Sequence, residues 1–331
     1  MSIKSYAKAI NEAHEQLLKT DKRVFVIGQG VESPWCVGTT TLGLVSKFGP
    51  ERVIDVPISE AGVTGSAIGA AMAGMSPIVF HSRMDFMYLA MDQIINHAAN
   101  WYYMFDGQIN VPVTIRGIVN RGNEQAAQHS QSPFAIYAHI PGLKVVCPAS
   151  PYDAKGLLIA AVKDDNPVLY TDDRWLYGLK EEVPDELYEV PIGKGKLCKE
   201  GQDVTVVAIS YLVNEAMEAA AIVERQGINA EVIDPRTLKP LDEDLILDSV
   251  SKTGRLIIAD PDWPVCSCSE HIANLVYQRL FNKLTCPIKL INFPNAPVPA
   301  STSLEKAYFP NRTDIVDSIL EMMLIRSFAR E

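Results

Sequence analysis

Residues 53–80 read VIDVPISEAGVTGSAIGAAMAGMSPIVF. Two short β-rich runs, Val53–Val56 and Pro77–Phe80, flank a segment of helical pattern at Ala61–Gly74. A strand, a helix and a second strand in this order predict two parallel strands with the helix packed on their sheet. The stretch therefore indicates an α/β domain.

The same alternation continues on both sides of this stretch. Further strands are predicted at Val24–Gly28, Val111–Arg116, Leu143–Cys147 and Val168–Thr171. Helices are predicted near Ala7–Leu18, Asp85–Tyr103 and Pro151–Lys163. Strands that alternate with helices of these lengths are typical of a mainly parallel sheet covered by helices on both faces.

A charged and irregular segment, Arg174–Gly201, interrupts the alternation and is typical of a connection between domains. A second alternation follows it, with elements predicted at Val204–Ser210, Asn214–Arg225, Ala230–Ile233, Leu241–Ser251, Leu256–Ala259, Ser269–Leu280, Ile288–Ile291 and Arg312–Met323. We therefore predict two α/β domains, residues 1–185 and 201–331, joined by a linker at residues 186–200.

Composition excludes several classes of protein. The chain has 331 residues and a formal net charge of −10, whereas a protein that neutralises nucleic-acid phosphates needs a basic surface. No stretch approaches the roughly 18–20 apolar residues that span a bilayer, and the first residues lack an apolar signal core. We therefore expect a cytoplasmic protein that contacts neither nucleic acid nor membrane.

Cysteine spacing argues against a zinc site. Of the six cysteines, only Cys266 and Cys268 lie close together, and one C-x-C lacks the second ligand pair that zinc needs. Reduced thiols are the simpler expectation in this compartment, and the sequence assigns no role to this pair.

Glu60 is the only carboxylate of the segment that follows strand Val53–Val56. Ligands of open α/β sheets gather at the carboxyl ends of the strands, and a carboxylate there can take part in proton transfer. The alternative is a first-turn glutamate that merely suits the helix dipole. Two glycines of the same helix, Gly65 and Gly69, favour close helix packing, either within the domain or across a subunit interface.

Two other segments carry candidate residues. His129 lies in a polar loop after strand Val111–Arg116, where a histidine can move protons near neutral pH or simply be solvated. Phe86 follows strand Pro77–Phe80 and is either an aromatic wall for a ligand or part of the core. The chain has no Walker-type phosphate loop, no G-x-G-x-x-G and no G-x-S-x-G. The phosphates of any bound cofactor would have to be held elsewhere.

Several motifs in fixed order resemble one family over residues 3–323, nearly the whole chain. They are ISEAGVTGSAIGAAMAG, DFMYLAMDQIINHAANWYYM, VPVTIRG, AAQHSQ, PGLKVVCPASPYDAKGLL, DDNPV and DPRTLKPLD. The chain resembles the beta subunit of the thiamine-diphosphate-dependent decarboxylating component of 2-oxo acid dehydrogenases, which serves pyruvate, branched-chain and acetoin substrates. The resemblance implies a transketolase-like pyrimidine-binding domain followed by a transketolase C-terminal domain.

The resemblance also implies roles for single residues. Glu60 would be the glutamate that activates the cofactor through its aminopyrimidine ring, Ile58 and Phe86 would be walls around that ring, and His129 would handle protons or the acyl acceptor. Arg83 is not part of this pattern, but its position three residues before Phe86 predicts a charge near the mouth of the pocket. It would bind a carboxylate or phosphate of the substrate there, or pair with a carboxylate such as Asp85. A structural potassium ion, found in some members, would be bound by backbone carbonyls at Val113, Ala161, Val162, Asp164 and Asn166.

Partners follow from the same resemblance. An alpha subunit would hold the diphosphate and Mg²⁺ of thiamine diphosphate in an α2β2 heterotetramer, and a lipoyl acyltransferase core would accept the acyl group. The predicted activity is the oxidative decarboxylation of a 2-oxo acid of the pyruvate dehydrogenase type, active only with the alpha subunit. Neither the 2-oxo acid nor its acceptor follows from the sequence.

Three departures from the family pattern keep two alternatives open. Leu89 replaces a glutamine of the pyruvate-type members, Arg83 adds a charge near the pocket, and Trp263–Ser269 replaces a glycine-rich turn where partners are met. These changes favour, as one alternative, a split transketolase-like carboligase that transfers a two-carbon unit to an aldehyde or sugar. The second alternative is a non-catalytic structural subunit. The presence of Glu60, Phe86 and His129 together argues against this alternative.

Overall fold

The computed structural model describes residues 1–33 and 36–324, apart from the side chain of Cys36. The chain divides into two compact units. Unit 1 comprises Met1–Arg121 and Gln128–Ile192, and unit 2 comprises Gly122–Ala127 together with the chain from Gly193 onward. Among the described helices, none is long and apolar enough to cross a membrane.

Unit 1 is an α/β domain around a parallel sheet. Its strands are β1 (Ser2–Ser5), β2 (Val24–Gly28), β3 (Val53–Asp55), β4 (Ser76–His81), β5 (Thr114–Val119), β6 (Lys144–Val146), β7 (Val168–Asp173) and β8 (Lys180–Val183). Six of them form the sheet in the order β6-β7-β5-β4-β2-β3, every pair parallel. All residues of β4, β5 and β7 are buried, because helices cover both faces of a sheet of this kind.

The α-helices of unit 1 are α1 (Tyr6–Thr20), α2 (Cys36–Thr39), α3 (Leu44–Phe48), α4 (Glu60–Met72), α5 (Asn100–Met104), α6 (Phe134–Ala138) and α7 (Pro151–Val162). Two of the longer helices begin at side-chain caps: Ser5 accepts the N–H of Lys8, and Ser150 accepts the N–H of Asp153. A serine at this position satisfies one of the free N–H groups of the first turn.

Unit 2 repeats the architecture on a smaller scale. Its strands are β9 (Lys196–Lys199), β10 (Val204–Ala208), β11 (Ala230–Asp234), β12 (Thr237–Lys239), β13 (Leu256–Ala259) and β14 (Lys289–Ile291). Its helices are α8 (Leu212–Glu224), α9 (Glu243–Thr253), α10 (Cys268–Leu280), α11 (Thr302–Tyr308) and α12 (Arg312–Leu324). Five strands form a sheet in the order β14-β13-β10-β11-β9, in which only β9 is antiparallel. The predicted α/β class with mainly parallel sheets is confirmed.

Two local predictions are wrong, for different reasons. The predicted helix Asp85–Tyr103 is a 3₁₀ segment at Met84–Ala90, a π-helical segment at Gln93–Ala99 and then α5. The predicted irregular connection Arg174–Gly201 contains β8, which pairs with β1, and β9. Its strand β8 reads KEEV and has charged residues at a two-stranded edge, so it lacks the apolar run by which strands are found in a sequence.

Candidate active site

A pocket opens at the carboxyl edge of the unit 1 sheet, beyond the ends of β2, β3 and β4. These strands are parallel neighbours, so their carboxyl ends meet at one edge, where open α/β sheets bind ligands. The pocket is lined by Gln29, Val56, Pro57, Ile58, Ser59, Glu60, Val63, Phe80, His81, Ser82, Arg83 and Phe86. Four of the candidate residues, Ile58, Glu60, Arg83 and Phe86, therefore share one pocket.

Glu60 is the first residue of α4, directly after its N-cap Ser59. The N-terminal end of a helix carries partial positive charge and favours a carboxylate in its first turn. Ile58, two residues before Glu60, lines the same pocket with a large apolar side chain that is 71% exposed. A carboxylate beside exposed apolar surface suits a ring that offers both a nitrogen and flat hydrophobic faces.

The floor of the pocket is rigidly supported. Phe80 lies opposite Gly28 in the β2–β4 register, and a Cβ at Gly28 would come within 2.5 Å of the Phe80 carbonyl oxygen. The guanidinium of Arg116 lies 5.1 Å from the centre of the Phe80 ring and is fully buried. Two hydrogen bonds, of 3.0 and 2.8 Å, join Arg116 to both carboxylate oxygens of Asp172. A buried pair of this kind fixes the position of what packs on it.

His81, the last residue of β4, was not among the residues predicted from the sequence. Its Nε2 atom lies 3.1 Å from Oγ1 of Thr64 on α4, which joins the end of the strand to the helix that carries Glu60. Burial lowers the pKa of His81 to about 4, so the imidazole is neutral at physiological pH. Its position at a strand end was the only signal in the sequence.

His129 lies beside the pocket and not in its lining. Its ring packs edge-on against Phe86, with 5.3 Å between ring centroids. Two further residues of the 84–90 segment hold the same loop: Asp85 Oδ1 accepts the Gln131 N–H at 3.0 Å, and the Tyr88 hydroxyl donates to Gln131 Oε1 at 3.1 Å. Asp85 and Tyr88 therefore hold the loop that carries His129 next to Phe86.

Asp85 is a buried carboxylate with one unsatisfied oxygen, Oδ2, among the described residues. Burial raises the pKa of Asp85 to about 6, although the N–H groups of Gln131 and Ser130 and the charge of Arg83 act in the opposite direction. The native protein therefore binds this proton more tightly than the unfolded chain does. Ionisation of Asp85 therefore lowers the free energy of unfolding. This loss is complete above about pH 6 and becomes smaller as the pH falls below that value.

Replacing Asp85 with asparagine should stabilise the chain at pH 8, since the amide oxygen can still accept the Gln131 N–H without a buried charge. The expected gain in unfolding free energy is about 1–3 kcal/mol, falling to about half at pH 5. Urea unfolding of both proteins at the two pH values measures it. The exposed Asp248→Asn variant should change little, and equal stability of Asp85→Asn and wild type at pH 8 would contradict the assignment.

Arg83 stands two residues beyond β4 and lines the pocket, half-buried. Its Nη1 group donates to the Ser82 carbonyl at 2.7 Å. Burial, and then the charge of Arg174, lower the pKa of Arg83. Arg174 was not predicted as a site residue, because it follows β7 in the sequence and only the order of the strands brings it near β4.

The residues of the implied potassium site lie around the end of α7. The carbonyl of Val113 accepts the Val168 N–H, and that of Ala161 accepts the Asp164 N–H. One Asp164 oxygen pairs with Lys144 and the other accepts the Asn166 N–H. Oδ1 of Asn166 is buried and has no hydrogen-bond partner in the described part of the chain. An orphaned amide oxygen among carbonyl groups fits a cation that prefers oxygen ligands.

No group of three or more histidine, cysteine, aspartate or glutamate side chains that could hold a metal ion occurs within residues 1–33 and 36–324.

Comparison with known proteins agrees with this geometry. Residues 3–178 match the transketolase pyrimidine-binding domain and residues 193–315 the transketolase C-terminal domain. A solved split-gene transketolase, described as an inactive beta4 tetramer, superposes with a TM-score of 0.81 over 97% of this chain and 99% of its own, at 23% identity. That likeness shows the fold.

Closer relatives show the family. The acetoin:2,6-dichlorophenolindophenol oxidoreductase subunit beta of Bacillus subtilis is 45% identical over 96% of this chain and 97% of its own. The pyruvate dehydrogenase E1 component subunit beta of Rickettsia bellii is 41% identical over 96% of this chain and 98% of its own. The 2-oxoisovalerate dehydrogenase subunit beta of B. subtilis is 40% identical over 97% of this chain and 99% of its own. The chain therefore belongs to the transketolase-like family formed by the beta subunits of 2-oxo acid dehydrogenases.

Proposed function

We propose that this chain is the beta subunit of a thiamine-diphosphate-dependent enzyme that decarboxylates a 2-oxo acid and passes the acyl group to lipoamide. The observation that carries the proposal is the position of Glu60, on the first turn of α4 in a pocket at the carboxyl edge of the sheet. Relatives in the family are named for pyruvate, acetoin and 2-oxoisovalerate, which are alternative substrates or products for this enzyme class.

The residues of the pocket fit the aminopyrimidine half of the cofactor. Glu60 offers a carboxylate to a ring nitrogen, while Phe86 and Ile58 offer apolar surface to the faces of the ring. When bound, thiamine diphosphate supplies a carbon nucleophile and an electron sink for decarboxylation. Glu60 would hold a proton at the ring nitrogen, and the supported Phe80 floor would keep that carboxylate in position. His129, held beside Phe86, would exchange protons with the substrate or the acyl acceptor.

A partner chain is part of the proposal. The pocket offers no phosphate loop, so the diphosphate and Mg²⁺ would be held by an alpha subunit in an α2β2 heterotetramer. Exposed residues support such a partner: Tyr103 is 89% and Met104 64% exposed. Apart from the backbone of its own helix, a Cβ at Gly69 of α4 would meet no described atom within 4 Å. Large apolar side chains exposed next to each other are typical of a surface that a partner covers.

Reconstitution with the alpha partner tests the activity. The complex, with thiamine diphosphate and Mg²⁺, should reduce dichlorophenolindophenol with at least one of pyruvate, a branched-chain 2-oxo acid and acetoin. It should release CO₂ when the donor is a 2-oxo acid, whereas acetoin has no carboxyl group to lose. Transfer to a lipoyl domain would support docking to an acyltransferase core. Products joined to an added aldehyde, without lipoyl transfer, would instead favour the carboligase alternative. Absence of turnover with every donor would favour the structural subunit.

We also propose that the carbonyls at Val113, Ala161, Val162, Asp164 and Asn166 bind potassium. The orphaned side-chain oxygen Asn166 Oδ1 supports this assignment, and we propose it as an additional ligand beside the backbone carbonyls. Replacing K⁺ with tetramethylammonium at equal ionic strength should lower the melting temperature of the chain by about 2–4 °C. Asn166→Ala should abolish most of that difference, and equal melting of the wild type in the two salts would contradict a bound potassium ion.

A further inference from the structure

A second pocket adjoins the candidate active site and has positive charge. It is lined by Gln29, Gly30, Ser33, Val37, Gly38, Ser82, Arg83 and Arg174. Gln29, Ser82 and Arg83 also line the pocket that contains Glu60, so the two spaces share a wall. The second pocket therefore opens beside the pocket in which the aminopyrimidine ring of the cofactor is proposed to lie.

The two arginines reach this pocket from different strands of the sheet. Arg83 follows the carboxyl end of β4, and Arg174 follows directly after β7. Only β5 lies between these strands, which places them about 10 Å apart. Both side chains line the same pocket, so one small ligand there can contact both.

The described lining of this pocket has two basic residues, Arg83 and Arg174. None of the eight lining residues is acidic, although the whole chain has a net charge of −10. The charge of Arg174 contributes to the lowered pKa of Arg83. The charge of Asp85 has the opposite effect on the pKa of Arg83, but Asp85 is buried and is not part of this lining. Two like charges at one pocket are stabilised when an oxyanion lies between them.

We propose that Arg83 and Arg174 form an anion subsite, an inference that rests on the proposed function. The subsite would bind an oxyanion of the substrate other than the carboxylate that is lost, remote from the carbon at which the chemistry takes place. A guanidinium binds carboxylate or phosphate through two parallel hydrogen bonds, and the Ser82 and Gln29 side chains add neutral groups beside them. The oxyanion can belong to a 2-oxo acid with a second carboxylate or to a phosphorylated acceptor. The preferred substrate is therefore more anionic than pyruvate.

The subsite itself can be tested without the cofactor, because both arginines belong to this chain. Malonate should raise the melting temperature of the wild-type chain by about 1–3 °C over chloride at equal ionic strength. Arg174→Gln should remove that rise, and Arg174→Lys should restore part of it, since lysine keeps the charge without the bidentate geometry. Arg225→Gln, at an exposed arginine of unit 2, should behave as wild type. Equal malonate effects in wild type and Arg174→Gln would overturn the subsite.

Substrate choice is tested in the complex with the alpha partner. One arm compares kcat/KM for 2-oxoglutarate and pyruvate, and the other compares glyceraldehyde 3-phosphate and glyceraldehyde as acceptors with pyruvate as donor. In one of these arms the wild type should prefer the compound with the additional anionic group, 2-oxoglutarate or glyceraldehyde 3-phosphate. Arg174→Gln should lower the ratio of the two kcat/KM values in that arm by about 10- to 100-fold. The arm that responds identifies the source of the oxyanion.

The outcomes separate this inference from the function on which it rests. Turnover of pyruvate with no preference for the anionic member in either arm would overturn the anion subsite and leave the proposed function standing. A loss of alpha-subunit association in Arg174→Gln, with an unchanged preference in the remaining complex, would also overturn it, because the arginines would then pair with a partner carboxylate. Absence of turnover with every donor would instead contradict the proposed function.

Discussion

Replacing Glu60 with glutamine is expected to lower the decarboxylation rate of the complex with its alpha partner by about 10²- to 10⁴-fold. The amide keeps the size and part of the hydrogen bonding of the carboxylate, but it cannot hold and release a proton. Glu60 is on the first turn of α4, which the hydrogen bond between Thr64 and His81 ties to β4, so the fold should be unaffected. The measurement is dichlorophenolindophenol reduction at saturating 2-oxo acid.

Two controls make this result specific. Glu51→Gln, at an exposed glutamate before β3, should keep the wild-type rate. The melting temperature of Glu60→Gln should match that of the wild type, and the variant should still associate with the alpha partner. A rate within threefold of the wild type would remove Glu60 from the proton chemistry and leave the helix-dipole interpretation.

The isolated chain should bind thiamine diphosphate and Mg²⁺ far more weakly than the complex does, by at least about 100-fold. On the proposed function, its pocket would supply groups for the aminopyrimidine ring, whereas the diphosphate and Mg²⁺ would have their partners on the alpha subunit. Glu60 and Arg83 are the acidic and the basic residue of the pocket lining, and the remaining lining residues are neutral polar or apolar. Isothermal titration calorimetry of the isolated chain and of the complex, at equal Mg²⁺, measures the difference.

Tight stoichiometric binding to the isolated chain would contradict a site shared between subunits. A titration with thiamine, which lacks the diphosphate, provides the matched control. If this chain binds mainly the ring, thiamine and thiamine diphosphate should bind it with similar weak affinity. The complex should then strongly prefer the diphosphate.

The strands that build the candidate site could be predicted from their short apolar, β-rich runs, and nearly all residues of β2 and β4 are buried. Val24–Gly28 has the predicted bounds in the structure, and Val53–Asp55 and Ser76–His81 differ from prediction only at their ends. Strand β5 is shifted, from the predicted Val111–Arg116 to Thr114–Val119. Pro112 has no N–H to donate to a neighbouring strand, so the ladder begins after it although Val111 and Val113 are buried.

The neighbourhood of the pocket was harder to predict, because it depends on tertiary contacts. The segment that follows β4 has an apolar pattern typical of one long helix, yet Asp85 and Tyr88 bond the loop at Gln131 and the backbone follows 3₁₀ and π geometry. Local irregularities of this kind are frequent at functional sites. Helical periodicity cannot show them, since the residues that cause them lie far away in the sequence.

The candidate residues divide in the same way. Ile58, Glu60 and Phe86 were expected together from the family resemblance, and Arg83 from its position three residues before Phe86. All four line one pocket in the structure. Arg174 could not be expected there, because its approach to Arg83 depends on β7 and β4 flanking β5. His81 gave no signal beyond its position at the end of a strand, and that position alone does not separate a structural histidine from a functional one.

Proton exchange at the thiazolium carbon of thiamine diphosphate, bound to the complex without substrate, tests the central assignment most directly. It reports on activation of the cofactor before decarboxylation, product release or acyl transfer can limit the rate. Quenched-flow deuterium exchange read by NMR would compare the wild type with Glu60→Gln at full cofactor occupancy. We expect exchange to slow by about 10²-fold or more in the variant. Exchange at the wild-type rate would contradict the role of Glu60 and the account built on it.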